Sequence, residues 1–404
     1  MITRGEQMLA LRKRRMADSP PFFRGGFRPF FTGGAAWALV ALTLWLCTLS
    51  GAFALPTLFD PLAWHRHEML FGFVGAVIAG FLLTAIPNWT GRLPIAGRPL
   101  ALLFGLWLAA RAAVLFSAQV GALVAALLDV GFYVVLGTLA AREVFAAKSR
   151  NVPIVVIVLL FAIADAVDHL AAAGMIADEG LGTRAAIALV ILLISLIGGR
   201  IVPSFTRNWL MKQGAQSGLP TQLGLFDKVV LAGTAIAMTA WLVAPLNSSV
   251  GYLLILGAAL QAIRLARWSG VRAWRDPLVL VLHVGYAWLP IGLCLLGFSI
   301  VETDVPGSGA LHALTAGAMA TMILAVMTRA TLGHTGRELK ASAATTLIYV
   351  LVTIGALGRV AAPLLPMDYM LAIRLSGIAW GGAFLLFLLV YGPKLIGPRP
   401  DGRP

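Results

Sequence analysis

The sequence predicts an all-α, polytopic membrane bundle of about twelve transmembrane helices, and three observations carry that expectation. Hydrophobic residues make up 59% of the chain and charged residues 12%, against about 25% charged in a soluble domain. The apolar residues fall into runs of about 20, the length that crosses a hydrocarbon core as a helix. Lysine and arginine collect in the short loops on one side of these runs, as membrane topology requires.

In chain order the runs lie at roughly 33–54, 65–86, 99–117, 120–141, 152–173, 185–203, 228–245, 250–267, 277–300, 310–330, 341–365 and 369–391. They are apolar on all faces and lack the two-residue alternation of an outer-membrane barrel, so helices are the expected spanning form. Residues 1–24 are basic without a short apolar core and cleavage site, and read as a retained cytoplasmic tail. Residues 25–397 then form the twelve-helix domain and 398–404 a second cytoplasmic tail.

Placing the N-terminus inside puts Arg12, Lys13, Arg14, Arg15, Arg24, Arg28, Arg92, Arg98, Arg142, Lys148 and Arg150 in the cytoplasm. Arg207, Lys212, Arg272, Arg275, Arg337, Lys340, Lys394, Arg399 and Arg403 join them. The opposite face receives Asp60, Asp178, Glu179, Glu302, Asp304 and Asp368, with Arg66 and Arg184 as its cations. Both termini are therefore expected inside, in a bacterial inner membrane. This sorting accounts for the net charge of +14, and nucleic acid is not an expected partner. Cys47 and Cys294 sit inside apolar runs and suggest neither a disulfide framework nor a thiolate metal site.

The chain also reads as three four-helix repeats. Pro29, Pro153 and Pro277 each stand at the start of a run, 124 positions apart. His67 and His312 are separated by 245, as are Gly72 and Gly317, Thr90 and Thr335, Gly91 and Gly336, and Arg92 and Arg337. The middle unit keeps a trace in Pro203 to Thr206, which resembles Pro87 to Thr90. An even number of helices per unit gives parallel repeats about an axis along the membrane normal.

Six histidines stand in informative places. His65 and His67 open the second run, His169 ends the fifth and His312 opens the tenth, all at the outer level. His283 and His334 lie toward the cytoplasm. Neutral imidazole ligates haem iron, copper and zinc, so the outer four are candidate metal or haem ligands. Each taken alone can also be a hydrogen bond between helices. Asp129, Asp165, Asp168, Arg111, Arg359 and Arg374 stand inside apolar runs, where charge is costly. Three uses remain open for them: intramembrane ion pairs, a haem-propionate and proton-path role, or a transporter's substrate site. Trp64, Trp89 and Trp209 fit interfacial anchors, Met69, Met319, Met322 and Met327 fit packing, and Gly72, Gly75, Gly80 and Gly317 permit close helix approach. The sequence has no nucleotide-binding motif and no serine or cysteine nucleophile arrangement.

The segments "GFRPFF", "WHRHEMLFGFVGAVIAGFLLTAIPNWTGR", "LHVGYAWLPIGL" and "LHALTAGAMATMILAVMTRATLGHTGR" resemble those of the NnrS family, from Phe27 to about Tyr391. The resemblance implies a twelve-helix bacterial inner-membrane protein that contains haem b and copper and belongs to the response to nitric oxide. It maps the motif histidines to His65, His67, His283, His312 and His334, and His169 to a more loosely matching segment. Arg28, Arg329 and Arg337 also match and are expected to hold anionic groups at the cytoplasmic face. One arrangement puts His67 and His312 on a single haem, His65 and His169 on copper, and His283 and His334 on a second haem or a proton path. The expected function is binding or conversion of nitric oxide under nitrosative stress, with quinol or another membrane carrier as electron donor if it is reduced. Membrane lipids complete the expected partners. A transporter of a metal or small solute is the alternative, and a haem-based sensor or sink without turnover a third reading.

Overall fold

A computed structural model describes residues 18–302 and 304–402, together with 7, 10, 11 and 14. Arg12, Lys13, Arg15 and Arg403, which the sequence places in the cytoplasmic tails, lie outside the described residues. Among the described residues, twelve helices are long and apolar enough to cross a membrane: α1 Phe27–Leu49, α2 Pro61–Thr90, α3 Arg98–Leu115, α4 Ala122–Ala146, α5 Val152–Ala172 and α6 Leu181–Lys212. They continue as α7 Leu225–Val243, α8 Ser248–Ala266, α9 Pro277–Val301, α10 Gly307–His334, α11 Ala343–Leu364 and α12 Tyr369–Ile396. No strand forms among the described residues. The chain is a polytopic all-α membrane protein, as its composition predicts.

Local chemistry sets the helix starts. Asp60 caps α2, its side chain accepting from the backbone N–H of Leu62 at 2.9 Å and of Ala63 at 3.4 Å, with Pro61 in the first turn, where a missing N–H costs nothing. Asp276 caps α9 in the same way ahead of Pro277. Outward faces stay apolar, as lipid contact demands: Leu102, Leu127 and Ile163 are 75%, 65% and 59% exposed.

The structure divides into two compact units. Unit one comprises Met1–Ala186, Ala330–Glu338 and Phe387–Pro404, and unit two Ile187–Arg329 and Leu339–Leu386. This division does not follow the three four-helix repeats expected from the sequence. α2, α6 and α10, the second helix of each four, all contain a π-helical segment: Glu68–Val74, Ile194–Gly198 and Ala313–Met319. The first and third begin 245 positions apart, directly after His67 and His312.

A π segment frees backbone carbonyls from their usual partners, and here side chains from neighbouring helices take them up. In unit one, Trp107 Nε1 donates to the Gly72 carbonyl at 3.0 Å and the Tyr133 hydroxyl donates to that of Phe71. In unit two, Arg264 Nη1 donates to Ser195 O at 2.9 Å and Trp380 Nε1 to Ala316 O at 3.4 Å. A Cβ on Gly75 would collide with the Tyr133 hydroxyl, so glycine there is what lets the tyrosine reach the bulge.

Candidate metal centre

The strongest concentration of chemistry lies within unit one, where α2, α4 and α5 meet. The π segment of α2 begins immediately after His67 and turns His67 and Glu68 inward, both fully buried. On α5, Asp165, Asp168 and His169 are spaced i, i+3 and i+4 and so share one helix face. Asp129 projects from the first half of α4. Gly182 brings the first turn of α6 against α5: a Cβ there would lie 2.6 Å from the Asp168 backbone nitrogen.

His67 binds carboxylates through both ring nitrogens, Nδ1 to Asp168 Oδ2 at 2.9 Å and Nε2 to Asp129 Oδ2 at 2.8 Å. His169 Nε2 lies 3.4 Å from the same Asp129 oxygen. Thr183 donates to the other oxygen of Asp168 at 3.1 Å. Arg111 of α3 donates to Glu68 Oε2 at 2.7 Å and to Asp129 Oδ1, and Trp37 of α1 also donates to Glu68, at 2.6 Å. Asp165 is different: it is fully buried, yet neither carboxylate oxygen has a hydrogen-bond partner. Its Oδ1 stands 3.9 Å from Nε2 of both His67 and His169. One donor atom from each of His67, Asp129, Asp165 and His169 falls within 4.8 Å of the others.

Aromatic rings seal the group from water. Phe59 lies 4.8 Å from the His67 ring and 5.4 Å from that of His169, and Phe71 lies 5.1 Å from His67. The loop carrying Phe59 is pinned by Ser117, whose hydroxyl accepts from the Leu58 N–H at 2.8 Å. The electrostatics are lopsided. Glu68, Asp129, Asp165 and Asp168 supply four carboxylates against one fixed cation among the described residues, Arg111. Burying an uncompensated carboxylate costs several kcal/mol, so the group calls for protons or a cation. Two imidazoles beside two carboxylates, one of them with bare oxygens, fit a metal ion.

A family model described as "NnrS protein" matches residues 21–399 of the chain. The chain belongs to the NnrS family. No curated protein matches it.

The NnrS motif residues separate in the structure. In unit one, His67 and His169 share the buried group, while His65 turns away and stacks on Trp45 at 4.8 Å. His334, also in unit one, packs against Phe27 with ring centroids 5.4 Å apart. Arg28 donates to the carbonyls of Leu395 and Gly397, and Arg337 to that of Thr335. In unit two, His312 Nδ1 donates to the Ser308 carbonyl at 2.7 Å, which fixes the tautomer with Nε2 as the basic nitrogen. Also there, His283 Nε2 meets the Thr206 hydroxyl at 2.8 Å, and Arg329 lies over Phe205 at 4.0 Å. Of the three arginines that stand inside apolar runs of this NnrS sequence, Arg111 is buried and makes ion pairs, with Asp129 and Glu68. Arg359 lies over Tyr369 at 6.0 Å, and Arg374 is exposed. Glu68, Trp37 and Thr183 escaped the sequence reading. Glu68 sits next to the histidines in "WHRHEM", and a carboxylate inside an apolar run is the signal that the sequence holds.

Proposed function

We propose that this NnrS-family member is a haem- and copper-containing membrane protein that binds or converts nitric oxide in the nitrosative-stress response. Its copper site is the group His67, Asp129, Asp165 and His169. The observation that carries the reading is the buried Asp165 carboxylate, bare of hydrogen bonds between two imidazoles. Two nitrogens and two oxygens suit a divalent first-row ion, Cu(II) included, better than the thiolate and thioether sets that favour Cu(I). When bound, the ion supplies a redox-active Lewis acid.

The chain's own residues prepare that place. Asp168 accepts a hydrogen bond from the Nδ1–H of His67 and turns Nε2 toward Asp129, the carboxylate–histidine arrangement that orients a metal ligand. Thr183 holds Asp168 in turn. Arg111 neutralises Glu68 and one oxygen of Asp129, leaving the other oxygen facing the imidazoles. His312 would hold haem b through Nε2, which its Nδ1–H bond to Ser308 leaves basic. Bound there, haem b would supply an iron centre for a diatomic gas. Carboxylates stand at both nitrogens of His67, and such oxygen donors beside an imidazole suit a copper ion there. Quinol or another membrane carrier is the proposed electron donor for any reduction. By the sorting of its cations, the protein is proposed to sit in the bacterial inner membrane with both termini cytoplasmic.

The test is an optical and metal analysis of detergent-purified protein. A reduced b-type spectrum that shifts with nitric oxide, together with stoichiometric copper, is the expected result. Fully folded protein with neither iron nor copper contradicts it and favours cation transport through the same surplus of buried carboxylates.

A further inference from the structure

Unit one carries a second charged group that the metal centre does not use, at the membrane face where α1 begins and α10 and α12 end. Arg28 is 3% exposed, and its Nη1 donates to the Leu395 and Gly397 carbonyls, each at 2.7 Å. Arg24, Arg337 and Arg399 lie within electrostatic range of it, and Lys394 within range of Arg337. Backbone carbonyls hold these side chains in place. Arg24 Nε donates to Ser19 O at 2.9 Å, Arg337 Nη1 to Thr335 O at 3.5 Å, and Arg399 Nη1 to His334 O at 3.2 Å.

Asp401 pairs with Arg399 at 2.6 Å. Among the described residues, Arg24, Arg28, Arg337 and Lys394 pair with no carboxylate. Among the described residues, five neighbouring cations thus share one acid. Mutual repulsion opposes that arrangement unless an anion joins it, and guanidinium forks suit a phosphate oxygen pair.

The apolar surroundings favour a lipid as the source of that phosphate. Leu389 and Ile396, seven residues apart on α12 and so on one helix face, are 66% and 56% exposed beside Lys394. An acyl chain laid along that face brings its headgroup to the arginines. We propose that Arg24, Arg28, Arg337, Lys394 and Arg399 bind the phosphate group of an anionic membrane lipid.

The experiment is native mass spectrometry of the delipidated full-length protein, titrated with phosphatidylglycerol, phosphatidylcholine or inorganic phosphate. The site predicts one retained phosphatidylglycerol in preference to phosphatidylcholine. Because Arg28 also ties α1 to the end of α12, the test variant is the double substitution R24Q/R337Q. At about fivefold per basic side chain, it weakens phosphatidylglycerol retention roughly thirtyfold. R150Q, which removes an exposed cation elsewhere in unit one, leaves it unchanged. Equal retention in the wild type and the double variant overturns the proposal, as does an equal loss in R150Q. Binding of inorganic phosphate with no preference for phosphatidylglycerol overturns the lipid assignment.

Discussion

Oδ1 of Asp165 stands 3.9 Å from Nε2 of His169, one helical turn further along α5, and receives no hydrogen bond from it. A buried carboxylate in that position destabilises the fold while the site holds no cation. Asp165→Asn is therefore expected to raise the melting temperature of metal-free protein, by roughly 1–3 kcal/mol of stability. Chelator-treated wild-type and variant proteins compared in the same detergent check this. A lower melting temperature for the variant would mean that the carboxylate is stabilised by its neighbours alone.

Asp168 touches the proposed ion only through His67, whose Nδ1 it binds at 2.9 Å. Loss of such an outer carboxylate lowers metal affinity by about 10–100-fold. Asp168→Asn is expected to show a drop of that size in a competition titration with a chromophoric chelator, with full occupancy recovered at high copper.

Arg111 is the fixed cation among four buried carboxylates, paired with both Glu68 and Asp129. Arg111→Met leaves two buried charges without their counter-ion and is expected to cost about 3–5 kcal/mol. The double substitution Arg111→Met with Glu68→Gln is expected to recover part of that loss. Thermal unfolding of the three proteins in detergent tells the two apart.

Tyr133 donates to the Phe71 carbonyl freed by the π segment of α2. Tyr133→Phe leaves that buried carbonyl unpaired, at a cost of about 1–3 kcal/mol. Because the same segment orients His67, metal affinity is expected to fall with stability. Hydrogen exchange localised to residues 68–74 reports the loosening directly.

Much of this fold was legible in the sequence, because a run of about 20 apolar residues has few other uses. The helix ends were less so. α2 begins at Pro61, four residues before its apolar run, since the Asp60 cap and Pro61 favour an early start. α6 runs on to Lys212 through a polar stretch that carries no hydropathy signal. Asp129, Asp165 and Asp168 were visible as costly charges, and His67 and His169 as ligand candidates. Their convergence was not visible, because one helix's pattern does not say which helices adjoin it. His65 and His67 part company, as residues two apart on a helix must. The π segments have no residue signature, and they decide where Glu68 points.

The most direct test of the metal centre is the copper content per chain of the wild type, Asp165→Asn and His169→Ala, purified identically and measured alongside folded fraction. One copper per wild-type chain, lost in both variants while the folded fraction holds, is the expected result. Folded variants that keep the wild-type copper content would contradict the assignment and move the metal elsewhere in the protein.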